Sequence, residues 1–455
     1  MNKREFLAMG GAVPLMLAGC GGSGSGSAPV RLVNASVGYP ALGFMVESNQ
    51  ATTGDIAYGS ASQFINVQAG TVGVTLTTGT PPSSVTTEQT RTIQKGVRYS
   101  LVAYGFADEL KFSLITESTT TPDTGKANVN VLNTSVDIGP VDVYLSADKT
   151  LTNPTLIASG ISANTVAPGQ SGFQPTAAAS YYITVVGAGT KGLTDLRFQT
   201  NAAITLTALE VLTIILTPGA SGVLANAILL TQGTAAAANP TVNEPNTTAR
   251  IRAITSTGGA TTVVTGVNAN GTAITLLPAS ATPQHSDYFV TTTTAVPTVT
   301  VNGAPITPFM MVNGQQVAPT LLAGGDYSVL VYLAGSTPVA QIIEDDNTAP
   351  LLSQGVKFRL INLATDNQSV ALGMAVNSQG VASQVPYATA SAYFELPTPQ
   401  NITSVVELLN GDTVVWTPNP PRLLLLGSIF TLVATSAPSS GTGSALFFQA
   451  KVSGT

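Results

Sequence analysis

Val30-Arg31-Leu32-Val33-Asn34 is the stretch that decides the fold, because the chain writes it again as Val129-Asn130-Val131-Leu132-Asn133, Ile251-Arg252-Ala253-Ile254-Thr255 and Phe358-Arg359-Leu360-Ile361-Asn362. Each copy is a short apolar run closed by Asn or Thr, the pattern of a strand entering a turn. Counted from Asn34 to Asn133, Thr255 and Asn362, the copies stand 99, 122 and 107 residues apart. Further marks follow in the same order. Ala41-Leu42-Gly43 before Phe44-Met45-Val46 matches Ala371-Leu372-Gly373 before Met374-Ala375-Val376, and Val141 to Leu145 fills that slot in the second copy. A Ser-x-aromatic signature comes next, at Ser62 and Phe64, Ser171 and Phe173, Ser286 and Tyr288, Ser391 and Tyr393. Tyr58 to Ser62 also parallels Tyr387 to Ser391. Near the end of three copies a Gly precedes an aromatic-led run, from Gly96 to Tyr99-Ser100-Leu101-Val102, from Gly324 to Tyr327-Ser328-Val329-Leu330, and from Gly427 to Phe430-Thr431-Leu432-Val433; Leu212 to Leu216 takes that place in the second.

A repeat of about 100 residues, made of short alternating runs between Gly, Pro and Asn turns, has the size and pattern of an immunoglobulin-like β-sandwich. No long stretch keeps a helical period. The sequence therefore predicts an all-β chain of four tandem sandwiches, over 29–118, 126–234, 248–345 and 355–455. Polar, Pro-bearing breaks at 116–126, 233–248 and 344–355 read as linkers, so the expected shape is a string of modules. With no Cys left to staple the sheets, aliphatic packing and the recurrent aromatics are expected to form each core.

These marks carry a family resemblance. The strand with Asn-x-Ser at Val30 to Ser36, Tyr-Gly-Ser-x-Ser-x-Phe at Tyr58 to Phe64, and Val67-Gln68-Ala69-Gly70-Thr71 resemble the repeats of secreted bacterial proteins grouped as domain of unknown function 4397. The resemblance implies tandem Ig-like modules in a cell-envelope lipoprotein and carries no established activity or functional residues.

The beginning of the chain reads as an address. Lys3 and Arg4 precede an apolar stretch from Phe6 to Ala18, which is too short to span a bilayer. Leu17-Ala18-Gly19-Cys20 resembles a lipobox, which implies cleavage between Gly19 and Cys20, a signal peptide over 1–19 and lipid on the Cys20 thiol. The only Cys of the chain stands at that position. Gly21, rather than Asp, after the Cys implies the outer membrane, with the protein facing the periplasm or the cell surface. Residues 20–28, rich in Gly and Ser, form the expected tether.

Composition excludes several function classes. Charged residues are only 9% of the chain, and 23 acidic against 17 basic residues give a net charge of −6, so nucleic-acid binding is not expected. His285 is the only imidazole and rules out multi-His metal sites and any other His-dependent triad; it reads as a solvated or turn residue. Gly187-Ala188-Gly189-Thr190-Lys191-Gly192 fits a dinucleotide fingerprint, but Leu193 to Thr200 alternates as a strand where the fingerprint needs a helix, so a hairpin is expected. Ala202 to Leu230 is strongly apolar, yet Pro218 to Gly222 splits it into a hairpin. Asp108-Glu109 and Glu344-Asp345-Asp346 are the carboxylate pairs on offer, and sequence neighbours do not make the opposed pair that glycoside hydrolysis requires. Glu344, Asp345, Asp346 and Asn347 sit between two modules and form a speculative calcium cluster with oxygen ligands alone. No other cofactor is implied. The expected function is a non-catalytic, lipid-anchored envelope protein that binds a protein or glycan ligand at the cell surface or serves as a spacer. A structural part of outer-membrane or periplasmic assembly and a glycan-binding accessory of an extracellular hydrolase system are the alternatives.

Overall fold

The computed structural model describes residues 26–451, apart from 53, 108–109, 119, 164–167, 191, 233–240, 351–354, 398–402 and 438–441. Gly19 and Cys20, and with them the lipobox reading, lie outside the described residues, as does the Asp108-Glu109 pair. Among the described residues there is no helix able to cross a membrane. The chain is all-β, and its sheets stack as sandwiches around separate apolar cores.

Each opening strand sets the plan. Ser27–Ala35 runs parallel to Tyr99–Tyr104, Lys126–Asn133 to Val211–Pro218, Thr248–Ser256 to Asp326–Ala334, and Gly355–Asn362 to Ile429–Ser436. The latter strand of each pair then turns back in an antiparallel hairpin, with Lys111–Thr116, Ala225–Gln232, Thr337–Asp345 and Ser444–Lys451 respectively. A second sheet faces this one across the core. In the second unit its strands are Thr155–Ile161, Val141–Ser146, Ser180–Gly187 and Leu196–Gln199.

Two repeat marks acquire physical roles. The Asn that closes the opening strand links the two sheets. Asn133 donates from Nδ2 to the carbonyls of Gly139 at 3.1 Å and Ile161 at 3.0 Å and accepts from Ser135 N–H. Asn34 and Asn362 make the same three bonds, to Tyr39, Ile56 and Ser36, and to Val370, Val385 and Ala364. Thr255 is too short to copy them, and its buried hydroxyl has no hydrogen-bond partner among the described residues. The Ser of the Ser-x-aromatic mark fills a gap in the ladder beside the opening strand. Its Oγ accepts from Leu32, Val131, Ala253 or Leu360 N–H at 2.9–3.0 Å and donates to the carbonyl of the residue that follows it.

The expected string of modules gives way to paired sandwiches. Val33, Ala35, Val102, Tyr104 and Ile115 of the first unit share one buried cluster with Leu132, Ile215, Ile228 and Leu230 of the second. Ile254, Leu330 and Tyr332 of the third pack likewise on Ile361, Leu363 and Val433 of the fourth. The sheet holding the opening strand is thus covered on both faces, one by its own core and one by its neighbour. Tyr99–Tyr104, Val211–Pro218 and Gly355–Asn362 are buried at every residue. A smaller cluster of Val186, Leu196, Leu224 and Val290 joins the second unit to the third. Val211–Pro218 and Ala225–Gln232 form the hairpin expected of the apolar stretch. The expected linker 233–248 holds a further strand, Thr241–Glu244, paired with Ala225–Gln232. The opening strand also begins at Ser27, inside the expected tether.

The recurrent aromatics divide. Tyr99, Tyr327 and Phe430 lie in the cores as expected. Phe64, Tyr288 and Tyr393 instead lie half-buried over arginines on the opposite face of the sheet.

Asn133→Ala strands two carbonyls and one N–H in a dry interior and is expected to lower stability by about 2–4 kcal/mol. Thr255→Ala removes a hydroxyl that has no hydrogen-bond partner among the described residues and is expected to cost less than about 1 kcal/mol. Urea unfolding of the two variants checks the contrast.

Candidate functional site

Once both faces of a sheet are covered, a charged side chain within it needs a counter-charge and filled hydrogen bonds. Arg31 occupies that position in the opening strand of the first unit, at 2% exposure. Its Nη2 lies 2.5 Å from Glu117, and Ser100 on the intervening strand donates to Glu117 at 2.6 Å. Burial lowers the pKa of Arg31, and Glu117 works against that shift. Arg31 also reaches the Thr231 carbonyl of the second unit, and the amide of Ser118 donates to Gln232 there.

The other units place polar residues at the same register. Asn130, Thr213 and Gln232 take the places of Arg31, Ser100 and Glu117 in the second, with Gln232 Nε2 2.9 Å from Thr213 Oγ1. In the third they are Arg252, Ser328 and Asp345. Asp345 is fully buried and binds Arg252 of its own unit, Arg359 of the fourth, and the hydroxyls of Ser328 and Tyr288. Arg252 and Arg250 lie 4.5 Å from the Tyr288 ring, and Arg359 lies 4.6 Å from Tyr393. Alongside, Arg250 forms a fork on Asp326, which also accepts from Asn347 at 2.6 Å.

This geometry replaces the calcium reading of Glu344, Asp345, Asp346 and Asn347. Alternation along the strand turns Glu344 outward and Asp345 into the seam. Lys357 takes Asp346 at 2.9 Å, and Thr348 bonds the same carboxylate. Asp345 and Asp346 thus diverge onto separate cations, and two guanidiniums flank the one that is fully buried. Among the described residues no group of His, Cys, Asp or Glu is arranged to hold a metal.

The remaining sequence candidates also find places. His285 is half-buried and stacks on Phe448 of the fourth unit, with ring centroids 3.9 Å apart, which corrects the solvated reading. Burial lowers its pKa, with Arg252 acting in the same sense. Gly187 ends a strand and Leu196–Gln199 returns antiparallel to it, so the glycine fingerprint is a hairpin. The Gly189 amide donates to Asp142, a carboxylate of the chain itself, where a phosphate would have to sit. A Cβ on Gly187 would meet Asp195 Oδ2 at 2.0 Å, so a larger residue there would have to displace that carboxylate. Trp416 packs against the core of the fourth unit.

Two open grooves mark the seams between units. One, of about 420 Å³, lies where Ala220 and Ser221 approach Asp345, Arg359 and Tyr393. The other, of about 880 Å³, runs between the first and second units, past Arg98, Ser118, Thr121, Thr207 and Glu210. The first lies beside the ion-pair network and the second beside the Arg31 cluster. Sequence reasoning missed both clusters. The available signal was a charged residue at the centre of an apolar strand, repeated at Arg31, Arg252 and Arg359 in a chain with so few charges.

Residues 28–144 match the family model described as Domain of unknown function (DUF4397). The match covers the first unit and continues through the opening strand of the second into Val141–Ser146, so it holds Arg31, Glu117 and Asn130 together. No curated protein matches the chain.

Burial pushes the Asp345 carboxyl up, but Arg359 and Arg252 outweigh it and hold the pKa below the ordinary 3.8. With a depressed folded pKa, the stabilisation is complete above the unfolded value and is lost as pH falls through the folded one. Asp345→Asn strands two buried guanidiniums and is expected to destabilise the third and fourth units by about 3–5 kcal/mol at pH 7. The gap between wild type and variant is expected to begin narrowing as pH falls below about 4 and to close only once pH passes below the depressed folded value, read by urea unfolding across pH.

Proposed function

We propose that the chain is a lipid-anchored, non-catalytic envelope protein that binds a protein or glycan at the cell surface. In this reading Cys20 carries the lipid, the outer membrane is its address, and the paired sandwiches hold binding grooves at a fixed spacing. The observation that carries it is the pair of open grooves, with both polar and apolar walls, at seams held by apolar clusters and ion pairs. A groove whose walls are already fixed binds without a large ordering cost. The engagement of Glu117, Asp326 and Asp345 by guanidiniums suits a scaffold better than an acid–base pair. A glycan-binding accessory of a hydrolase system would use the same grooves.

A second reading, assembly with other envelope proteins, is favoured by one hairpin. Met310–Val312 pairs with Gln315–Val317 in a separate two-stranded ribbon, and Met311, Val312 and Val317 are exposed. No charged residue occurs between Asp287 and Asp326. An uncharged edge of this kind is open to strand addition.

Protease shaving of intact cells separates the two. The surface reading expects cleavage at the exposed connector near Asp123, little at the buried Asp345, and release of the protein from the membrane by Cys20→Ser. Cleavage only after the outer membrane is opened would sink it and favour the assembly reading.

A further inference from the structure

Among the described residues, the seam between the first and second units holds a positive charge without a carboxylate partner. Two guanidiniums flank the Phe64 ring, Arg31 at 4.7 Å and Arg98 at 5.1 Å from its centre. Arg31 is neutralised by Glu117. Arg98 is half-buried, lines the 880 Å³ groove and has no carboxylate within ion-pair distance among the described residues. The aromatic face fixes its plane and leaves its forked N–H groups for an oxyanion.

The rest of the groove narrows the ligand. Ser118, Thr121 and Thr207 bring hydroxyls to its walls. Glu210 accepts from the amide and hydroxyl of Thr207 through Oε2, at 2.8 and 2.9 Å, which anchors this carboxylate in the groove that Arg98 also lines. One guanidinium and one carboxylate in a single groove disfavour a dianion such as a phosphate ester. They suit a molecule with one carboxylate and several hydroxyls: the carboxylate forks onto Arg98, and sugar hydroxyls donate to Glu210 and share protons with the threonines. At the lip, Leu209 is half exposed with φ of 68°, a strained backbone for a branched residue, and offers an apolar edge for a sugar ring. The volume lies in the range of small-ligand pockets, about 300–1,000 Å³.

We propose that this groove is a binding site for acidic glycans, in which a uronic acid residue places its carboxylate on Arg98 and its hydroxyls on Glu210 and the threonine wall. The assignment rests on the surface-binding reading and gives it a ligand class. The test uses the full-length protein in detergent, with trigalacturonic acid and its methyl ester as probes in titration calorimetry at low salt. Trigalacturonic acid is expected to bind, and the ester to bind at least about tenfold more weakly, because it keeps every hydroxyl and loses the charge. Arg98→Gln is expected to weaken the acid by a similar factor and leave the ester unchanged, while Arg422→Gln, outside the groove, changes neither. No binding of the acid, equal binding of acid and ester, or indifference to Arg98→Gln would each overturn the proposal. The acid–ester comparison is made on the wild-type chain and stands even if a variant folds poorly. Because the titration does not depend on cell location, a periplasmic result in the shaving experiment leaves it intact, and its failure leaves the surface reading to be judged on shaving alone.

Discussion

A guanidinium buried between two sheets is the constraint on which this architecture turns. Arg31, Arg252 and Arg359 sit at the middle of opening strands that are covered on both sides, and none can be left without an anion. The end of the closing strand supplies that anion, at Glu117 and at Asp345, and the hydroxyls of Ser100 and Ser328 bridge the strand between. The chain leaves each hairpin directly after the carboxylate, so the start of the connector is tied to the sheet it departs from. In the third and fourth units one carboxylate serves two arginines from different sandwiches, which couples their positions through charge as well as packing.

Much of the fold was legible because strand chemistry is local. The four opening strands, the hairpins and the Asn and Ser marks lie where the repeats place them, and residues 28–144 carry the family that the motifs resemble. The second covered face escapes a pattern of alternating runs, although Ile214-Ile215-Leu216 and Leu360-Ile361 are apolar without alternation, the mark of strands buried on both sides. Polar, Pro-bearing breaks give a string of modules only where each sheet keeps one face in water, and here the neighbouring sandwich covers that face.

The seam chemistry was hidden for a different reason. Arg31 meets Glu117 across 86 residues and Arg252 meets Asp345 across 93, distances over which no spacing rule operates. The acidic run at Glu344 to Asp346 misled because residues adjacent in a strand point to opposite faces, so a cluster in sequence is dispersed in space. Phe64, Tyr288 and Tyr393 depart from the expected core because periodicity gives the face of a sheet but not what lies on that face.

The two-faced sheet also decides what can stand alone. A single sandwich cut from this chain would expose either Val33, Val102 and Ile115 or their counterparts Leu132, Ile215 and Ile228, an apolar patch of the kind that drives aggregation. The smallest self-sufficient piece is therefore a couple, and lengthening the protein by one sandwich would leave an uncovered face. Growth of such a chain favours even numbers, with the joint between couples, held by the smaller cluster around Val186 and Val290, as the natural place to cut or splice.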